Sequence, residues 1–179
     1  TQIMFWERNE DLHMTVCNRS NDMIWGAFGA NAVHMSVLLE YMAGMLGYGI
    51  GNYYQFSNNL HAYVDVLKKL DGMQPQYEPY LTLGEDGLKY TPPALIDEPS
   101  TFDKELLEWF EDVDRLEYEN TYLGDTCARM RLSWRYWKAK NYTNAYYHAH
   151  SIDDRAWRKA CMEWLDRRLE NTPGGSFLR

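Results

Sequence analysis

Residues 3–7 and 12–17 are two short β-prone runs, the first apolar through Ile3-Met4-Phe5-Trp6 and the second alternating, and they flank the polar sequence Arg8-Asn9-Glu10-Asp11. Two β-prone runs about a polar turn predict a β-hairpin whose second strand delivers Arg19. From Asn31 the period changes. Val33, Val37, Tyr41 and Met45, with Leu38, Met42 and Leu46, recur at steps of three and four, which predicts a helix buried along one broad face and ending near Gly47 and Gly49. Residues 51–63 return to strand chemistry through Tyr53, Tyr54, Phe56 and Leu60. Residues 63–70 can begin a helix, which Asp71-Gly72 and the prolines beyond it break.

The stretch from Gly72 to Pro99 carries five prolines and several turn signals, and reads as an ordered loop with little regular structure. After it the pattern is helical. Thr101 is placed to cap a helix over 102–112 with an apolar stripe of Phe102, Leu106, Trp109 and Phe110. Two longer amphipathic helices, 122–140 and 153–170, are joined by a shorter helical piece over 143–150, and Trp134, Trp137, Trp157 and Trp164 supply apolar anchors between them. Pro173-Gly174-Gly175 ends the last helix. The organisation expected is a main α+β region over 1–71, the loop over 72–100, and a helical extension over 101–179 packed on the same domain.

Composition narrows the function classes. With 179 residues, 45% of them hydrophobic, the chain can form a substantial core. It has no run of eighteen apolar residues and no signal-like start, so neither a membrane-spanning helix nor secretion is expected, and the reading is a cytoplasmic protein. The formal charge of −8 argues against a general nucleic-acid surface, although a few arginines can still gather an anionic small molecule. Cys17, Cys127 and Cys161 are odd in number and lack CxxC spacing, which favours buried thiols over disulfides or zinc. His148 and His150 do not share a helical face, so no metal site is expected. His34 reads as a packed or surface side chain, Met35, Met42 and Met45 as core fillers, and the basic run from Arg155 to Arg168 as a solvated face paired with local acids. Thr1 is not a methionine and runs straight into an apolar strand, which suggests a piece of something longer.

The densest chemistry lies in Asn18-Arg19-Ser20-Asn21-Asp22, running into Trp25-Gly26-Ala27-Phe28-Gly29-Ala30-Asn31. An arginine beside a serine can hold a phosphate, and Asn31 at a helix mouth can present its amide to a flat heterocycle. The alternative is an ordinary polar loop ending in an N-cap asparagine. His61 and Tyr63 are two apart, so on an extended chain both rings face the same way and could hold one hydroxyl.

Arg19-Ser20-x-Asp22 after a strand, Gly26 and Asn31 entering a long helix, and His61-x-Tyr63 ending the next strand resemble, in order and spacing, the C-terminal catalytic half of the thymidylate synthase family. That family includes the phage-type deoxypyrimidine-monophosphate hydroxymethylases, and the wording from Asn18 to Gly26 with Gly29-Ala30-Asn31-Ala32 is nearer the phage branch. The likeness covers about residues 3–70. It implies an α+β fold with a mostly antiparallel sheet, a long buried helix and an appended helical tail, in a homodimer. It implies that Arg19 and Ser20 bind the 5′-phosphate of dUMP or dCMP, with Arg19 favouring the nucleophile's thiolate. Asp22 would touch both the base and 5,10-methylenetetrahydrofolate, Gly26 would admit that cofactor, Asn31 would read the pyrimidine edge, and His61 and Tyr63 would hold the sugar hydroxyl. The family's nucleophilic cysteine would fall immediately before Thr1; Cys17 does not match it, and the chain alone is expected to turn over nothing. The product implied is hydroxymethyl or methyl at C5, hydroxymethyl preferred, with dUMP favoured over dCMP. The rival reading is a catalytically silent nucleotide-binding or scaffolding relative.

Overall fold

Asn9 and Glu10 both adopt positive φ, 56° and 67°, the combination that a two-residue hairpin turn requires. In this computed structural model the turn joins β1 (Gln2–Arg8) to β2 (Asp11–Asp22) in antiparallel register, Arg8 opposite Asp11 and Gln2 opposite Cys17. The structure describes residues 1–72, 92–112 and 114–169. Two compact units divide the chain, 1–75 and 76–179.

In the first unit β2 leads through a π-turn (Met23–Ala27) into α1 (Ala30–Leu46), and β3 (Gly49–His61) returns alongside β2. The sheet order is β1-β2-β3, and β3 runs parallel to β2. The expected mostly antiparallel sheet is therefore corrected to a mixed one. The reason is the crossover: a long helix between two strands brings the chain back to the starting end of the sheet, so the second strand repeats the direction of the first.

The core of this unit is Leu12, Met14 and Val16 from β2 against Leu39 and Ala43 of α1, with Met35, Leu38, Met42 and Tyr53 packed around it. Met14 and Ala43 are fully buried. The helix is not buried along the expected face, because Val33, Val37 and Leu46 are exposed. It is apolar nearly all round, so periodicity alone does not select a side, and a three-stranded sheet covers only one. Every residue of β1 is exposed, including Ile3, Phe5 and Trp6.

Gly47 ends α1 in the left-handed region (φ 74°), its N–H bonded to the carbonyls of the last turn. Alanine there has open space for its methyl group, so only backbone strain changes. Gly47→Ala is expected to cost about 1 kcal/mol, measured as a lower urea midpoint with unchanged slope. After β3 comes the short α2 (Val64–Leu67), extended by a 3₁₀ turn (Lys68–Leu70) and closed by Gly72 at φ 79°. Of the loop expected over 72–100, residues 73–91 lie outside those described.

The second unit holds α3 (Pro99–Glu111), α4 (Arg129–Lys138), α5 (Tyr142–His150) and α6 (Arg155–Leu169). Glu98, not Thr101, caps α3: its carboxylate accepts from the Thr101 N–H at 2.9 Å, and Pro99 takes the first helical position, where no N–H is needed. The expected stripe is also corrected, since Phe110 is exposed while Glu105 is buried. The single helix expected over 122–140 begins instead as a π-turn (Tyr122–Ala128) that passes into α4. Ala145, Ala149 and Leu165 form a core around which Trp137 and Trp164 pack, ring centroids 4.9 Å apart. The basic run is more than a solvated face: Arg158 donates to the Ile152 carbonyl at 3.2 Å, and the Arg168 guanidinium lies 4.1 Å from the centre of the Trp164 ring. The expected glycine-rich stop at 173–175 lies outside the described residues. Among those described, no helix is long and apolar enough to cross a membrane.

Candidate functional site

Parallel pairing sets the C-terminal ends of β2 and β3 side by side, with Ser20 opposite Asn59, Asn21 opposite Leu60 and Asp22 opposite His61. Helix α1 starts just beyond the same end of β2, so its first turn, carrying Asn31, belongs to the same region of the unit. Crevices at the carboxyl ends of parallel strands are where α/β crossovers gather ligand-binding groups.

Ser20, His61 and Tyr63 are brought together. The Ser20 hydroxyl lies 3.3 Å from Nδ1 of His61, the Asn59 amide donates to the same hydroxyl at 3.5 Å, and the Tyr63 ring meets His61 edge-on at 5.5 Å between centroids. Arg19 precedes them on the strand, exposed, with no ion pair among the described residues. A hydroxyl against an imidazole, with an exposed arginine one residue before the hydroxyl on the strand, supplies donors suited to a phosphate or sugar oxygen.

Asp22 terminates the strand and caps the π-turn, one oxygen accepting from the Trp25 N–H. Its other oxygen, Oδ2, is buried with no hydrogen-bond partner among the described residues. A carboxylate oxygen in that state retains the capacity to accept a bond from a ligand.

Asn31 is reached from the inner side of the sheet. Its Nδ2 donates to Asn21 Oδ1 at 2.9 Å, Asn21 Nδ2 donates to Gln55 Oε1 at 2.8 Å and is 3.3 Å from the Ser57 hydroxyl, and Gln55 Nε2 donates to the Ala27 carbonyl at 3.1 Å. Gly26 has a reason within the protein itself: a Cβ there would stand 2.2 Å from Asn21 Oδ1 and 3.0 Å from Asn31 Nδ2. Sequence reasoning passed over Asn21, Gln55 and Ser57. A signal was present, because Tyr53, Gln55 and Ser57 are alternate positions of one strand, so amide and hydroxyl replace apolar side chains on its inner face.

Cys17, Cys127 and Cys161 are free thiols, each half-buried rather than fully enclosed. Burial pushes the Cys127 thiol up to about 11, against weaker opposing effects from Tyr122 and Arg131. At pH 8 it is therefore overwhelmingly the neutral thiol, and modification by iodoacetamide is expected to lag far behind that of a free cysteine, as read by peptide mass mapping across pH. Among the described residues no three His, Cys, Asp or Glu side chains gather to hold a metal ion.

The relatives of this chain found among known proteins agree with one another. It is 33% identical over 167 residues to the deoxyuridylate hydroxymethyltransferase of Pseudomonas phage M6, covering 88% of this chain and 48% of that protein. It is 36% identical over 142 residues to the deoxyuridylate hydroxymethyltransferase of Bacillus phage SP01, covering 73% of this chain and 37% of the relative. A putative thymidylate synthase of Methanocaldococcus jannaschii is 41% identical over 63 residues, 35% of this chain and 28% of its own length. The chain thus spans about half or less of the curated relatives it matches. No family model and no solved structure matches it.

Proposed function

Since the chain belongs to the thymidylate synthase family, we propose that it forms the C-terminal part of an enzyme that installs a hydroxymethyl group at C5 of dUMP, working as a homodimer with 5,10-methylenetetrahydrofolate. The observation that supports the proposal is the contact of Ser20, His61 and Tyr63 at the ends of β2 and β3, with Arg19 the neighbour of Ser20 on β2 and Asn31 tied to Asn21 of the same strand. The names of the two phage relatives favour dUMP over dCMP and hydroxymethyl over methyl.

Arg19 and Ser20 bind the 5′-phosphate, and His61 with Tyr63 holds the sugar 3′-hydroxyl. Asn31 accepts from N3–H of uracil and donates to O4. The hairpin register adds a constraint on the nucleophile. Gln2 lies opposite Cys17 and the Thr1 hydroxyl donates to Asn18 at 3.3 Å, so the same register continued by one residue sets the position before Thr1 opposite Arg19. A cysteine there would have its thiolate favoured by the guanidinium. That thiolate adds to C6 of the base, and charge develops on O4, where the Asn31 amide donates. The cofactor would supply the one-carbon unit to C5; loss of the C5 proton with release of tetrahydrofolate as the carbon–nitrogen bond breaks would leave that carbon open to water, and the thiolate would then leave C6.

Methylenetetrahydrofolate supplies that one-carbon unit at the oxidation level of formaldehyde. The unpartnered Oδ2 of Asp22 fits a donor of such a cofactor. Gly26 lies next to Asp22's turn, although its bare Cα is already required by the Asn21–Asn31 contact.

Product mass tests the proposal on the full-length protein. A gain of CH₂O on dUMP with no dihydrofolate formed is expected; a gain of CH₂ with dihydrofolate would assign thymidylate synthase activity instead. The 179-residue chain by itself is expected to release no tritium from C5-labelled dUMP, and release above background would show a nucleophile within it.

A further inference from the structure

The amides behind Asn31 share one polarity, set at their far end. Ala27 presents a backbone carbonyl, which only accepts, so the Gln55 atom facing it at 3.1 Å is the donor Nε2. Gln55 Oε1 is then left to accept from Asn21 Nδ2 at 2.8 Å. Asn21 Oδ1 in turn faces Asn31 and accepts from its Nδ2 at 2.9 Å. Turning the Asn31 amide over would bring two carbonyl oxygens face to face. Turning Asn21 and Gln55 with it would only move that clash to Ala27. Asn21 is 2% exposed, so water is excluded from restoring the lost bond.

We propose that Asn21 and Gln55 are positioning residues that hold the Asn31 amide in one of its two orientations and so make the site read uracil rather than cytosine. The inference rests on Asn31 being the base-reading group. Uracil offers a donor at N3 and an acceptor at O4; cytosine reverses both, with an acceptor at N3 and an amino donor at C4. A freely rotating amide satisfies either base, whereas one tied to Asn21 satisfies only the base that matches it. Gly26 makes the tie possible by leaving open the space that a Cβ would take from both amides.

The experiment is calorimetric titration of the full-length protein with dUMP and with dCMP at pH 8. Asn21→Leu removes the acceptor and Gln55→Leu removes the anchor at Ala27. Each is expected to lower the dUMP-to-dCMP affinity ratio about tenfold or more, the factor equivalent to about 1.4 kcal/mol. The readout is the ratio of the two affinities, which a merely structural role for these positions would leave unchanged while weakening both nucleotides alike. If Asn21→Leu does not fold, the half-buried Gln55→Leu carries the comparison. Leucine variants that bind both nucleotides with an unchanged ratio would overturn the inference while leaving the base-reading role of Asn31 standing. Failure of the unsubstituted protein to bind either nucleotide would overturn that role, and the inference with it.

Discussion

Replacing Arg19 with alanine is expected to weaken dUMP binding by about 1.5–3 kcal/mol, the range for hydrogen bonds to a charged group, which is roughly ten- to hundredfold in Kd. The expectation follows from position. Arg19 is exposed at the end of β2 beside Ser20, and among the described residues no carboxylate forms an ion pair with it. Its charge is therefore available to an incoming phosphate. Lysine at the same position keeps the charge but loses the planar fork, and should recover only part of the affinity. Deoxyuridine, which lacks the phosphate, is the control. If Arg19→Ala weakens the nucleoside as much as the nucleotide, the phosphate assignment is overturned. The loss should also shrink as salt is raised, because an exposed charge pair is screened.

Legibility of the fold followed from how local its causes were. The hairpin was readable because four consecutive polar residues interrupt two β-prone runs, and the C-terminal end of α1 because a glycine stands where the apolar period stops. Strand direction was not readable in the same way. Nothing within β3 itself distinguishes parallel from antiparallel pairing; the crossover through α1 decides it. The buried side of α1 was equally hidden, since Val33 and Val37 are as apolar as Leu39 and Ala43, and only the sheet beneath determines which pair is covered. At the candidate site, spacing paired only His61 with Tyr63, whose rings do meet; that Ser20 joins them follows from the parallel pairing of β2 with β3, which spacing did not give. Asn21 escaped notice because its work is to hold another residue. Polar groups at inward positions of a strand announce a buried network, but which partner each finds depends on contacts between residues 34 positions apart, as Asn21 and Gln55 are.

Glu105→Ala is expected to destabilise the second unit by about 3–5 kcal/mol, the scale for breaking a buried, paired charge. Glu105 was not singled out by the apolar pattern of α3, yet it is 3% exposed and fully engaged. Its Oε1 accepts from the Glu119 N–H at 2.7 Å and its Oε2 from the Asn120 N–H at 2.8 Å, and Arg115 Nη2 stands 3.8 Å from Oε1. Asn120 passes the constraint on: its amide donates to the Leu95 carbonyl at 3.1 Å, and its oxygen accepts from the Leu123 N–H at 2.9 Å, at the entry to the π-turn. One carboxylate thus ties α3 to the segment that starts the following helical run. Alanine leaves two backbone N–H groups without an acceptor and removes the carboxylate facing Arg115. Glutamine keeps the volume and one acceptor, so it should lose less, which gives the order wild type, Glu105→Gln, Glu105→Ala in urea midpoint. Equal midpoints for the two variants would mean that the acceptor glutamine retains contributes nothing, whereas a Glu105→Gln midpoint equal to wild type would mean that the second acceptor oxygen does not. A loss below about 1 kcal/mol for alanine would fall within the cost of a single ordinary hydrogen bond and would overturn the reading of Glu105 as the anchor of this unit.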